Sequence, residues 1–398
     1  MLTSFALIFL LALSLSSIFK KINLPPLFGM LLTGIILGPY TLNLIDSSLL
    51  SISPDLRKLA LVIILTRAGL ALDLNDLKKV GRPAILMSFL PACLEIIGIT
   101  WLAPKILGIS LLEAALMGTV VAAVSPAIIV PKMLFLMERK IGTKKGIPQM
   151  IMASGSVDDV FVIVLFTAFT SLLQGDSVTA GTLFKIPVSM ITGIAGGALL
   201  GLSLNLFFRN YHMRDSVKVL ILLSFSFLFI TIENKLENLI PFSGLLAIMT
   251  NGAILYMKYQ PLAIRLSSKF SKIWVVAEII LFGLVGASVD LSFAFEAGAS
   301  VFLLVILAML FRMTGVFLSM SNTDLNFKER LFCMIAFLPK ATVQAAIGSI
   351  PLTLGMPCGN IILTVAVLAI LITAPLGALG IDLTYGPLLC GLNRKQTS

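Results

Sequence analysis

Two consecutive aspartates, Asp158 and Asp159, stand inside the apolar stretch ASGSVDDVFVIVLF. Three more ionisable residues lie in comparable surroundings: Glu95 in PACLEIIGITW, Arg312 in LFRMTG and Lys340 in FLPKATVQAAIG. A charge in such a run is expensive to bury unless it is paired or hydrated, so each calls for a chemical reason. Neighbouring carboxylates split their titration. Successive helical residues also project about 100° apart. One aspartate can therefore meet a buried base while the other faces a wet cavity. A carboxylate that trades its proton near neutral pH binds either H⁺ or a hard cation through oxygen. The chemistry on offer is competition of two small ligands for one site. The plainer alternative is a pair of aspartates capping a broken helix.

Glu95 and Arg312 are read as a buried bridge, structural rather than ion-coordinating. Removing one partner of such a bridge strands the other. Lys340 has two open readings. It pairs with Asp158 and releases a proton as a cation binds, or it neutralises the carbonyl ends of interrupted helices. In TRAGLALDL, Arg67 snorkels or meets a loop acid, and Asp73 is solvated at a helix end. Glu113 and Glu278 are read as interfacial. His212, the single histidine, lies in a basic loop and is a poor ligand candidate but a candidate pH sensor.

The elements that must position these residues follow from composition. The chain has 398 residues, 58% hydrophobic and 12% charged, against about 25% charged in soluble domains. That excludes an ordinary soluble core and suits helices of about 20 apolar residues in a bilayer. The formal charge of +10 is dispersed over short loops, which argues against nucleic acid as a partner. The four cysteines show neither metal spacing nor a disulfide framework. Residues 1–19 lack a basic leader and a small-residue cleavage site, and are read as an uncleaved first helix.

About thirteen spans can be drawn, and most basic residues then fall on one side. That places the N-terminus outside and the C-terminus in the cytoplasm. Thirteen divides as six, a linker and six, so the second half is inverted relative to the first, the usual plan of secondary transporters. Glu95 and Arg312 occupy the equivalent spans 4 and 11. Spans 5 and 12 carry break signals. The first reads GTVVAAVSPAIIVP, and the second has Pro339, Lys340, Thr342, Gln344, Gly348 and Pro351. Unwound backbone at membrane depth is tolerated where it lines a protein-enclosed or wet cavity. Ser125, Thr342 and Lys340 are thus candidate neighbours of an ion site at Asp158 and Asp159.

At these residues the sequence resembles a known family. SGSVDDV, followed much later by LPKATVQAAIG, is similar to the sodium/proton antiporters of the cation:proton antiporter-2 family, closest to its NHA (sodium/hydrogen exchanger) branch. RAGLALDL and AVSPAIIVP fit the same branch, and the resemblance covers roughly residues 55–350. It implies an all-α polytopic membrane protein of inverted repeats with crossed discontinuous helices. Residues 1–75 and 217–289 would be dimerisation-domain helices, 83–173 and 298–380 the two halves of a core domain, 183–208 a linker helix and 381–398 a cytoplasmic tail. It implies exchange of Na⁺ or Li⁺ for H⁺ by an elevator-like alternating access. Asp159 matches the principal cation-binding carboxylate and Asp158 its neighbour. Many relatives carry lysine where Arg312 stands, paired with the first aspartate; here Glu95 is the expected partner. Two aspartates point to electrogenic exchange and the arginine to electroneutral exchange, which leaves stoichiometry open. A homodimer in the inner (plasma) membrane of a bacterium is implied, surrounded by lipid and without a cofactor.

Other classes fit less well. A sodium-coupled symporter of an organic anion on a related fold needs more polar lining than these spans offer. A K⁺/H⁺ antiporter would use the same residues. An intramembrane aspartyl protease needs its two aspartates on different spans and a GxGD context that is absent, so no enzyme is expected.

Overall fold

The computed structural model describes residues 1–22, 24–72, 81–174, 180–236, 241–289 and 291–389, apart from the side chains of 156, 180–187, 234, 236 and 291–297. Asp73 and residues 390–398 of the expected tail lie outside the described residues. Among the described residues the chain is helical, with no strand. The main helices are α1 (Leu2–Lys21), α2 (Leu27–Leu37), α3 (Ser53–Leu70), α4 (Leu90–Leu107), α5 (Leu111–Ala122), α6 (Pro126–Glu138), α7 (Ile147–Gln174), α8 (Ala180–Asn210), α9 (Asp215–Leu236), α10 (Gly244–Lys258), α11 (Gln260–Ala287), α12 (Leu291–Ser319), α13 (Phe327–Ala336), α14 (Thr342–Ile347) and α15 (Gly359–Leu389).

Among the described residues, nine helical segments are long and apolar enough to cross a membrane. The other expected spans fall on helices that differ from a plain span for visible reasons. α2 has 11 residues and α10 has 15, α3 carries Asp55, Arg57, Lys58 and Arg67, and α13–α14 is interrupted. The chain is a multi-pass integral membrane protein. Two helices run well beyond what hydropathy marks. α11 starts at Gln260, because a basic segment with Arg265, Lys269 and Lys272 continues the helix beyond its apolar part. α15 runs to Leu389, so residues 381–389, expected as tail, remain helical; IDLTYGPLL is still largely apolar.

The chain forms two compact units. One comprises Met1–Ile52, Asn75–Val162 and Phe282–Ser398, the other Ser53–Leu74 and Ile163–Leu281. In the first, α4 packs on α12 through small residues, as membrane helices do. A Cβ on Gly315 would stand 2.5 Å from Pro91 Cα, and one on Gly98 would stand 2.6 Å from the Phe311 ring. This approach brings the Glu95 and Arg312 helices together. In the second unit α3 and α10 meet at Gly69 and Gly252, and Thr66 and Ser226 hydroxyls lie 3.4 Å apart.

The interrupted spans belong to the first unit, and each opens with the same device. Ser110 and Glu113 form a capping box at the start of α5, and Asn326 and Glu329 form another at the start of α13. Each satisfies two orphan N–H groups. The breaks come from proline. Pro126 has no N–H to offer the Ala122 carbonyl four residues earlier, and it biases Ser125 out of the helical region; Ser125 is extended, with φ −94° and ψ 108°. Pro339 acts alike after α13. The chain returns to helix only at Thr342, beyond Ala341 at φ −163°. The two breaks meet, and the Ser125 N–H donates to the Pro339 carbonyl at 2.8 Å.

Candidate functional site

Proline leaves carbonyls without helical partners at the end of α5, and a helix C-terminus attracts cations. Two cations meet it. Arg312, fully buried on α12, donates from Nη1 to the Ala122 carbonyl and to Glu95 Oε2 (3.0 Å). It also donates from Nη2 to Asp158 Oδ2 (2.9 Å) and from Nε to the Phe337 carbonyl (2.7 Å). The planar guanidinium thus spans two carboxylates and one carbonyl from each break, a fork that a lysine does not provide. Its carbon also sits 5.4 Å from the centre of the Phe337 ring. Lys340, equally buried, donates to the Val121 carbonyl (2.7 Å) and lies 2.7 Å and 2.8 Å from the two oxygens of Glu95. Its own backbone N–H donates to the Thr373 hydroxyl at 3.0 Å.

Of the two readings of Lys340, the contacts are those of a residue serving interrupted-helix carbonyls; its carboxylate partner is Glu95. Asp158 instead takes Arg312 and the Val124 N–H (2.9 Å), both on Oδ2. Glu95, Asp158, Arg312 and Lys340 make a closed set of two negative and two positive side chains, each at 0% exposure.

Asp159 stands apart. It is 7% exposed, forms no ion pair within 4.0 Å among the described residues, and its Oδ1 has no hydrogen-bond partner. Asp158 Oδ1 and Ser125 Oγ are likewise buried without a partner. Ser125 heads α6 but its hydroxyl does not cap it. Thr342 is buried at the start of α14. Gln344, which the sequence marks only as part of a broken span, is fully buried and donates to the Val121 and Ala123 carbonyls. Carbonyl acceptors and the Thr373 hydroxyl have no signal in the sequence; only the prolines hint that such carbonyls must exist.

Elsewhere, Arg67 on α3 and Glu278 on α11 are within electrostatic reach of each other inside the second unit. Arg67 therefore has a helical rather than a loop acid near it. His212 is exposed in the loop after α8.

The geometry can now be set beside known proteins. A family model described as "Sodium/hydrogen exchanger, transmembrane" matches residues 6–384. The chain belongs to the sodium/hydrogen exchanger family. It is 34% identical to mouse sodium/hydrogen exchanger 9B2 over 389 residues, covering 94% of this chain and 70% of that one. It is 33% identical to human sodium/hydrogen exchanger 9B1, covering 89% and 71%. Its fold is that of the sodium proton antiporter MjNhaP1 from Methanocaldococcus jannaschii at pH 8, with a TM-score of 0.84, 20% identity and 97% and 98% of the two chains covered. This exchanger is a transporter and not an enzyme.

Proposed function

We propose that this exchanger carries Na⁺ or Li⁺ one way and H⁺ the other by elevator-like alternating access, with cation and proton competing at Asp158 and Asp159. The observation that supports this most is the isolation of Asp159. Glu95 and Asp158 are balanced by Arg312 and Lys340, so Asp159 is the one uncompensated carboxylate of the cluster. A carboxylate at membrane depth must be neutralised before it moves through a closed state. Either H⁺ or one monovalent cation achieves that, and the two exclude each other. Ser125 Oγ and Asp158 Oδ1 are oxygens available to complete the shell of a hard cation. Because Arg312 holds Asp158, one charge crosses in each direction, and exchange is electroneutral. We place the core domain at 83–173 and 298–380, moving against dimerisation helices of a homodimer. The N-terminus would face outward in the cell inner membrane, as the asymmetry of loop charge suggests.

Reconstituted exchanger in proteoliposomes tests this. A gradient of Na⁺ or Li⁺ should drive proton flux at a rate unaffected by imposed voltage, and Asp159→Asn should reduce the flux to background. Wild-type flux from Asp159→Asn would overturn the assignment. A voltage-dependent rate would overturn one-for-one exchange, and flux driven by K⁺ alone would overturn the choice of cation.

A further inference from the structure

Gln344 does more than fill space between the broken helices. Its side-chain amide donates to two carbonyls at the end of α5, Val121 (3.0 Å) and Ala123 (2.7 Å). The opposite amide orientation would set its oxygen against both carbonyl oxygens, so the network fixes which way the amide faces. The Ala123 carbonyl belongs to the same peptide unit as the Val124 N–H, and that N–H donates to Asp158 Oδ2 at 2.9 Å. Gln344 and Asp158 therefore grip opposite sides of one planar peptide. Turning that peptide would break both bonds together.

A second consequence concerns ligands. Val121, Ala122 and Ala123 present three consecutive carbonyls beside the acidic pair. Lys340 and Gln344 engage the first, Arg312 the second and Gln344 the third. Side-chain donors thus reach all three. A cation at the aspartates is left to side-chain oxygens of high charge density. Selectivity among alkali cations depends on the number and field strength of the oxygens offered, and neutral carbonyl dipoles suit the larger ions better than carboxylates do.

We propose that Gln344 is a positioning residue for cation selection. It holds the Ala123–Val124 peptide so that its N–H aims at Asp158 and its carbonyl is withheld from the transported ion. This rests on the reading of Asp158 and Asp159 as the exchange site.

Gln344→Met keeps the length and removes both donors. In proteoliposomes of the full chain we expect the ratio of the K⁺ KM to the Na⁺ KM to fall about tenfold, the equivalent of roughly 1.4 kcal/mol. The change should come through a raised Na⁺ KM and a lowered K⁺ KM, with kcat for Na⁺ little altered. Gln344→Asn, whose shorter stem cannot span both carbonyls, should move the ratio in the same direction by less, and it is read by the same measure if Gln344→Met does not fold. A wild-type ratio in a folded variant overturns the proposal, whether or not its Tm is lower, because a purely structural glutamine changes Tm alone. Asp159→Asn, run in parallel, separates the two levels. If it exchanges ions, the site reading falls and this proposal with it. If it is inactive while the Gln344→Met ratio is unaltered, only the role of Gln344 falls.

Discussion

The two interrupted spans open with the same capping device and break at the same residue type, yet the side chains that their two halves bring to the site are of opposite kind. The first half contributes Glu95, Asp158, Asp159 and the carbonyls of Val121, Ala122 and Ala123, all of them acceptors. The second contributes Arg312, Lys340 and the Gln344 amide, all donors. Repeated architecture has therefore not produced a repeated site. Each half carries buried charges that the other balances, and the set of Glu95, Asp158, Arg312 and Lys340 is neutral only when both are present. Among the described residues Asp159 has no oppositely charged partner within 4.0 Å, and that imbalance is the feature suited to a transported ion.

The comparison is most severely tested at Arg312. Arg312→Ala strands two buried carboxylates and should lower stability by about 3–5 kcal/mol, seen as a fall in thermal unfolding temperature in detergent. Adding Glu95→Gln should restore part of that, since one stranded charge is removed while Asp158 remains. Strictly additive losses would mean that the donors and acceptors of the two halves are not coupled. Lys340→Met should be milder, about 1–3 kcal/mol, because Glu95 keeps Arg312; a loss equal to that of Arg312→Ala would show Lys340 to be the chief counter-charge.

The breaks themselves are separated by Ser125→Ala. Its hydroxyl makes no hydrogen bond among the described residues, so Tm should hardly change, while the Na⁺ KM rises severalfold. Unchanged KM would remove Ser125 from the ion shell. The smallest effect belongs to a charge outside the membrane. The Asp46 carboxylate is lowered from 3.8 to about 2 by hydrogen bonds from the Ser48 hydroxyl and backbone N–H and by the Met1 amine. A depressed carboxylate stabilises the fold above its unfolded value and loses that contribution as pH falls through its folded one. Asp46→Asn should therefore lower Tm slightly at neutral pH, with a difference that shrinks as pH falls from 3.8 and vanishes only below about 2. Being exposed, it should never approach the buried set.

Much of this was legible because charge at membrane depth is scarce. Glu95, Asp158, Asp159, Arg312 and Lys340 are conspicuous against apolar neighbours, and Pro126 and Pro339 mark where backbone must unwind. What the letters do not carry is the main chain. No residue type announces that Ala122 or Phe337 will offer its carbonyl, so the four-way reach of Arg312 and the turn of Lys340 toward Glu95 rather than Asp158 are read only in three dimensions. Helix limits were hidden for another reason. Hydropathy marks where a helix becomes polar, not where it stops, and α11 continues through Arg265, Lys269 and Lys272.

The separation of these partners along the chain sets a problem of timing during synthesis. Glu95 is 217 residues from Arg312 and 245 from Lys340. At about 5–20 residues per second, a ribosome reaches Arg312 roughly 10–45 s after Glu95. Through that interval the acidic half sits in or near the bilayer with its carboxylates unmatched, where each is tolerated only at some expense. Biogenesis of this exchanger therefore depends on protons, water or an insertion factor to shelter those acids until the basic half arrives. Truncated chains that end before Arg312 should be the ones that quality-control proteases remove.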